Sequence, residues 1–207
     1  METRKGRVAI IGGFSEKAKD FLLANALRKI SITNPHSGVL VIRDHIEAVH
    51  GIDDMDERTH VEIEYLCGGC FCCTLKSDFE YLLKEYANRS GSWYLLIEAP
   101  LIADVGVIEG SIKHILGNDL KIEKVFTIEA ETIDVLSVTF PDLFNRNINQ
   151  ADILAISGST HQRDNPFNRL PERLKNLPWQ GVGNIKSIES DLTLFARKGK
   201  KIGFFFD

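Results

Sequence analysis

Short apolar segments alternate with helical patterns along most of this 207-residue chain. Apolar runs of strand length occur at residues 8–11, 39–42, 61–66, 94–97, 124–128, 153–156 and 202–206. Helical spacing of apolar residues occurs at residues 21–30, 75–87, 107–116, 133–144 (with a break at Pro141) and 167–177. Strands and helices that alternate in this way pair in parallel through right-handed crossovers. The sequence therefore predicts an α/β fold, a doubly wound, mostly parallel sheet with helices on both faces.

Composition narrows the class of protein further. Hydrophobic residues make up 43% of the chain, charged residues 26%, and the net charge is −4, which suits one globular domain over residues 1–207 without a separate C-terminal domain. The sequence has no long basic run, so neither nucleic acid nor a membrane is the expected partner. It also has no apolar segment of about 18 residues and no secretory signal, so a cytoplasmic location is predicted.

All four cysteines, Cys67, Cys70, Cys72 and Cys73, lie within one heptapeptide, C-G-G-C-F-C-C. Thiolates crowded beside two glycines are typical ligands of zinc or another transition metal such as cobalt or nickel. Four thiolates complete a tetrahedral shell, but adjacent cysteine side chains tend to diverge, so three thiolates and an outside ligand are an equal alternative. The candidates for that outside ligand are Asp44, His45, Glu47, His50, His60 and Glu64.

Three other interpretations of the cysteines stay open at this point. In the first, the cysteines are small apolar side chains at a junction between a strand and a helix, since cysteine is often buried as an inert residue. In the second, the cysteines hold an iron–sulfur cluster, although the usual ligand spacings differ from C-x-x-C-x-C-C. In the third, the protein is a non-enzymatic interaction module, and the cysteine loop has a purely structural role.

The loop at residues 12–19 follows the first predicted strand, at the edge of the sheet where ligands bind. Its best match to a phosphate-binding P-loop runs from Gly13 to Asp20, with Lys19 at the position of the phosphate-binding lysine. Ala18 replaces the second glycine, and Asp20 stands where a serine or threonine binds Mg²⁺. Gly13, Lys17, Lys19 and Asp20 are the candidate nucleotide ligands, with Asp20 as a candidate Mg²⁺ ligand.

Four segments together resemble the CobW/HypB/UreG family of P-loop GTPases and metallochaperones, over about residues 8–160. Residues 69–75, G-C-F-C-C-T-L, match the family's G-C-x-C-C-T-L metal motif. Residues 39–53 are similar to its N-[DE]-F-G-E switch followed by G-I-D, and residues 96–104 to its E-[ST]-[ST]-G-L-A-D switch. Residues 143–154 resemble the stretch before the guanine-reading N-K-x-D.

The resemblance implies a P-loop NTPase fold, GTP hydrolysis with Mg-GTP (or Mg-ATP) bound, and metal handling. It makes Asp44 and Glu98 the candidate catalytic residues. The sequence departs from the family pattern at the guanine motif, where residues 157–160 read S-G-S-T, and at Leu101, which replaces a switch glycine. These departures predict impaired GTP binding and hydrolysis.

The predicted function is therefore that of a metal-binding accessory protein or metallochaperone on a P-loop GTPase fold. Its expected partner is a client metalloprotein or an enzyme of a cofactor pathway, and two cysteine loops bridged by metal would give a homodimer. The alternative is an active GTP or ATP hydrolase coupled to metal insertion, which would use Lys19 for phosphate and Asp20 for Mg²⁺.

Overall fold

The computed structural model describes residues 6–46, 55–71, 73–101 and 103–158, together with the backbone of residues 179–184 and 200–206. Its strands are β1 (Arg7–Gly13), β2 (Gly38–Arg43), β3 (His60–Tyr65), β4 (Trp93–Glu98), β5 (Lys121–Glu129), β6 (Ile153–Gly158), β7 (Trp179–Asn184) and β8 (Lys200–Phe206). Its helices are α1 (Glu16–Thr33), α2 (Lys76–Ala87), α3 (Val105–Leu116), α4 (Ile133–Thr139) and α5 (Pro141–Gln150), with a 3₁₀ turn at Ala130–Thr132.

The described strands form one sheet in the order β3-β2-β4-β1-β5-β6-β8-β7. Every described strand pair is parallel. The predicted doubly wound α/β fold is therefore confirmed. No helix in the described part of the chain is both long and apolar enough to cross a bilayer.

Helices cover both faces of the sheet, and the strand side chains alternate between two apolar clusters. On one face, α1 contributes Leu22, Leu23, Leu27 and Ile30. On the other face, α2 and α3 contribute Phe79, Leu83, Tyr86, Ile108 and Ile112. Helices α4 and α5 add Ile133, Phe144 and Ile148 to a third cluster over β5 and β6. Because the central strands are covered on both sides, they read as continuous apolar runs in the sequence.

Several predicted boundaries need correction. The helix expected from residue 107 begins at Val105, where the Asp104 side chain caps it. The helix expected over residues 133–144 is two helices, α4 and α5, which separate before Pro141 as the predicted break required. Strand β7 was not predicted. The helix predicted at residues 167–177 lies outside the described residues.

The most consequential correction concerns the connection from β1 to α1. The loop predicted at residues 12–19 is wrong, because only Phe14 and Ser15 separate β1 from α1. Ser15 caps the helix by accepting from the Ala18 amide at 3.3 Å. The Phe14 amide donates to the Thr127 carbonyl of β5 at 2.7 Å, and the Ser15 amide donates to Thr127 Oγ1 at 3.4 Å. The turn is therefore short and fixed to the neighbouring strand.

Gly13 permits this tight turn for two reasons. Its φ of +116° lies in the left-handed region. A Cβ atom at this position would also overlap the backbone of Thr127. We expect Gly13→Ala to lower the free energy of unfolding by about 2–4 kcal/mol, since backbone strain and steric overlap act together.

The matched control is Gly91→Ala, at a glycine whose φ is +98° and whose Cβ would meet nothing within 4 Å. This variant should lose about 1 kcal/mol from the left-handed conformation alone. Urea denaturation of both variants measures the difference. Equal losses would show that the contact with Thr127 does not constrain the turn.

Candidate functional site

The candidate site lies where β1, β2 and β4 end beside the first turn of α1. Register pairs Ile42 of β2 with Ile97 of β4, so Arg43 and Glu98 are the next residues on adjacent strands. Val41 and Leu96, two residues earlier, pack in the cluster beneath α1. Because strand side chains alternate with period two, Arg43 and Glu98 point to the same face. Their opposite charges meet below the helix.

Glu98 and Arg43 form a fully buried ion pair. Arg43 Nε donates to Glu98 Oε2 at 2.5 Å, and Arg43 Nη2 donates to Asp20 Oδ1 of α1 at 2.5 Å. Charge-assisted hydrogen bonds of this kind offset part of the cost of removing both groups from water. One arginine thus links β2 to β4 and to helix α1.

Lys19 is also fully buried, although it lies in the first turn of a helix. Its Nζ is 2.8 Å from Glu16 Oε2 and 3.7 Å from Glu98 Oε1. It donates to the Ala99 carbonyl at 3.4 Å. The ammonium group therefore points into the protein, toward the end of β4.

His45 lies in the segment after β2 and faces the charged side chains of Glu16, Arg43 and Glu98, which we call the ionic cluster. Its Nε2 lies 2.7 Å from Arg43 Nη2. Arginine can only donate, so Nε2 accepts and the ring proton is on Nδ1. Nδ1 is 3.0 Å from Asp44 Oδ1, 3.4 Å from Glu98 Oε1 and 3.9 Å from Glu16 Oε2. The imidazole N–H is thus surrounded by carboxylates.

Glu98 has an unusual environment within this cluster. Burial raises the pKa of Glu98 above its ordinary value, while the hydrogen bond from Arg43 and the charge of Lys19 act in the opposite direction. Its Oε2 is engaged by Arg43, but its buried Oε1 has no hydrogen-bond partner. One oxygen of a buried carboxylate is therefore left to long electrostatic contacts alone.

The cluster as a whole carries an excess of negative charge. Its carboxylates are Glu16, Asp20, Asp44 and Glu98, and its permanent cations are Lys19 and Arg43. With all four carboxylates ionised and His45 neutral, two negative charges remain uncompensated. Such a site attracts cations and repels anions.

The four candidate nucleotide ligands occupy different environments. Gly13 ends β1, Lys17 is exposed on the first turn of α1, and the side chains of Lys19 and Asp20 are already paired. The P-loop alignment puts residues 16 and 17 in a phosphate-binding loop, whereas here they are helical. Their assignment to nucleotide binding stays a prediction.

Ser157 stands at the start of the sequence that replaces the guanine motif. Its Oγ is 2.8 Å from Ser15 Oγ, and it donates to the Ile128 carbonyl at 3.4 Å. Ser157 therefore fixes the turn between β1 and α1 from a third strand. Residues 159 and 160 of the motif lie outside the described residues.

The cysteine loop leaves the sheet beside this cluster, since the Leu66 amide donates to the Arg43 carbonyl at 2.8 Å. Gly68 has a φ of +89°, and a Cβ on Gly69 would lie 2.5 Å from Thr74 Oγ1. The Cys70 amide donates to that hydroxyl at 3.0 Å, and the Cys73 amide donates to the Cys70 carbonyl at 3.1 Å. The two glycines thus allow a tight turn around Thr74.

The described cysteines differ in exposure and in chemical state. Cys67 and Cys73 are exposed free thiols. Cys70 is buried and disulfide-bonded, and Cys72 lies outside the described residues. The thiol-rich donor set fits a soft or borderline metal ion once Cys70 is reduced, because the ligand form of cysteine is the thiolate.

The residues predicted to complete a metal site with the cysteines lie in different parts of the structure. His60 begins β3, whereas the cysteines follow its other end, so about 16 Å of strand keeps His60 from the same ion. Asp44 and His45 belong to the cluster around Glu98. Glu64 is exposed near the end of β3, and residues 47 and 50 lie outside the described residues.

The sequence interpretation missed two members of the cluster, Arg43 and Glu16. A signal for Arg43 was present, because Arg43 and Glu98 are the charged residues that end two apolar strand runs. Charges of opposite sign at equivalent ends of parallel strands are expected to pair. Glu16 precedes Lys19 by three residues, a spacing at which helical side chains meet.

These features define an α/β protein with an ionic cluster and a cysteine-rich loop at the carboxyl-terminal edge of a parallel sheet. The family model of the CobW/HypB/UreG nucleotide-binding domain matches residues 7–177, and the chain belongs to this family. The resemblance inferred from the motifs is therefore confirmed. No curated protein has a significantly similar sequence.

The solved structures similar to this chain include the following two. The Zn(II)-bound YjiA GTPase from E. coli shares 16% identity and a TM-score of 0.46, with 75% of this chain and 49% of that chain covered. FlhF complexed with GTP/Mg(2+) shares 13% identity and a TM-score of 0.42, with 76% of this chain and 57% of that chain covered. The chain spans about half the length of these proteins.

Proposed function

We propose that this protein is a metal-handling accessory protein whose cysteine loop binds zinc or a related transition metal, and whose nucleotide site is impaired. One observation carries the second part of the proposal. Lys19, the lysine assigned to phosphate, is fully buried and paired with Glu16 and Glu98. To reach a nucleotide, its ammonium would have to leave these carboxylates. Breaking a buried ion pair costs about 3–5 kcal/mol.

The short turn between β1 and α1 also supports an impaired nucleotide site. A P-loop cradles phosphates with the backbone amides of a glycine-rich loop. Here the turn contains two residues, and the Phe14 and Ser15 amides both donate to Thr127. These two amides are therefore unavailable to a phosphate unless the turn opens.

The charge of the cluster also disfavours a nucleotide. A phosphate beside the cluster would face uncompensated carboxylates, of which Asp44 and Glu16 reach solvent. Two like charges at about 4 Å repel by about 4 kcal/mol at an effective dielectric constant of 20. Mg²⁺ would have to offset this repulsion before any phosphate bound.

The cysteine loop supports the metal-handling part of the proposal. Cys67 and Cys73 are exposed on either side of Cys70, and the motif residues Cys70, Cys72 and Cys73 supply soft donors once reduced. An exposed site with few ligands exchanges its ion more readily than a closed tetrahedral shell. This accessibility suits delivery of an ion to another protein.

The proposal extends to the protein's surroundings. Reduced thiols require a reducing compartment, so the cytoplasm is the proposed location. The proposed recipient is a client metalloprotein or an enzyme of a cofactor pathway. Because Cys67 and Cys73 are exposed, two loops from two copies could share one ion, and we include a metal-bridged homodimer in the proposal.

The nucleotide part is tested by isothermal titration of the protein with GTP and with ATP, each in the presence of Mg²⁺. We expect no binding tighter than about 0.1 mM, because the phosphate position is closed and negatively charged. Micromolar binding of either nucleotide with steady hydrolysis would contradict this expectation. If Lys19→Ala then abolished that hydrolysis, the protein would be an active hydrolase.

The metal part is tested by titrating the reduced protein with Co²⁺, whose thiolate charge-transfer absorption reports sulfur ligands. We expect binding that Cys73→Ser weakens by about tenfold or more, because one ligand is lost. His60→Asn is the matched control, since His60 is exposed at the other end of β3. Its affinity should equal that of the wild type.

Two results would overturn the metal proposal. One is failure of the reduced protein to bind cobalt, zinc or nickel, and the other is a Cys73→Ser affinity equal to that of the wild type. Chelation then separates delivery from structure. The far-UV circular dichroism of a delivery protein should not change when the ion is removed, whereas a structural metal loop would unfold.

A further inference from the structure

We propose that Glu16, Asp44, His45 and Glu98 form a second, nucleotide-independent site for a divalent metal cation, separate from the cysteine loop. One potential ligand atom of each residue lies within 4.8 Å of those of the other three. The four residues come from three segments, the first turn of α1, the residues after β2 and the end of β4. The register of β2 and β4 brings two of these segments together, and the short turn before α1 brings the third.

The buried oxygen of Glu98 points independently to a ligand. Glu98 is fully buried, yet its Oε1 has no hydrogen-bond partner. That oxygen faces the cluster, 3.4 Å from His45 Nδ1 and 3.7 Å from Lys19 Nζ. A buried carboxylate oxygen without a hydrogen bond is costly, and a metal ion would satisfy it directly.

The charge of the cluster matches a divalent ion. Four carboxylates and two permanent cations leave two negative charges, which one divalent cation neutralises. Lys19 already lies near Glu16 and Glu98, so its ammonium competes with the ion for these oxygens. Lys19 also donates to the Ala99 carbonyl, a contact that it keeps when an ion takes Glu16.

The proton on His45 has to move when the ion binds. Nδ1 carries this proton while Nε2 accepts from Arg43. An ion at Nδ1 takes the place of the proton, which transfers to Nε2, and the ring remains neutral. Arg43 then turns its donors to Glu98 and Asp20, both of which already accept from it. No proton is lost or gained in this exchange.

The donor set differs from that of the cysteine loop. One imidazole nitrogen and three carboxylate oxygens suit a hard to borderline ion such as Mn²⁺, whereas thiolates favour zinc, cobalt and nickel. Glu16 is 56% exposed, and His45 is 26% exposed, so water and the ion can reach the site. The two sites can therefore be loaded separately.

The test is a titration of the reduced, nucleotide-free protein with Mn²⁺, in which electron paramagnetic resonance measures the free ion. We expect about one bound Mn²⁺ with a dissociation constant below about 1 mM. Glu16→Gln and Asp44→Asn should each weaken binding by about tenfold or more, because each removes a ligand. Two controls should bind as the wild type does, Glu57→Gln at an exposed carboxylate and Cys73→Ser in the cysteine loop.

Three outcomes would overturn the proposal. They are no bound Mn²⁺ at millimolar concentration, equal affinity in Glu16→Gln and the wild type, or loss of binding in Cys73→Ser. Because Glu16 is exposed, its variant decides the matter if Asp44→Asn fails to fold. Cobalt binding at the cysteine loop is measured separately, so either site can fail without the other.

Discussion

The buried carboxylate of Glu98 is the constraint on which the rest of this site depends. A carboxylate at the end of a central strand cannot be solvated, so it requires cations from the protein itself. Arg43 supplies one from β2, and Lys19 supplies another from α1. The same ion pairs fix the first turn of α1 over the strand ends. The short turn at Phe14 and Ser15 and the inward direction of Lys19 are thus two parts of one arrangement.

This arrangement changes which ligands can bind at the carboxyl-terminal ends of the strands. In a P-loop the lysine and the backbone amides face an anion, whereas here the lysine faces carboxylates and the amides of the turn face Thr127. The cluster groups Glu98, which the motif resemblance aligns with the acidic residue of the family's switch, with Glu16, Asp44 and His45. On our proposals, the family scaffold keeps its thiol site for soft metals and converts the phosphate position into a site for a harder cation. Neither proposed site requires a nucleotide.

The sequence predicted the sheet well because strand and helix periodicities are local properties. It also located the cysteine loop, since the thiols are adjacent in the chain. It did not predict the turn before α1, because residues 12–19 were assigned to a loop, whereas Ser15 caps the helix two residues after Gly13. It did not predict the pairing of Arg43 with Glu98, which depends on the register of β2 and β4. Contacts between distant segments arise from tertiary structure, which a single sequence does not display.

The coupling between Lys19 and Glu98 tests the central claim most directly, through a double-mutant cycle of Lys19→Met and Glu98→Gln measured by urea denaturation. Each single variant should lose about 3–5 kcal/mol of unfolding free energy, because each removes one of the two opposite charges that compensate a buried charge. The double variant should lose less than the sum of the two, with a coupling energy of about 2 kcal/mol or more. Strictly additive losses would contradict the account, since they would mean that Lys19 does not compensate Glu98 in the folded protein.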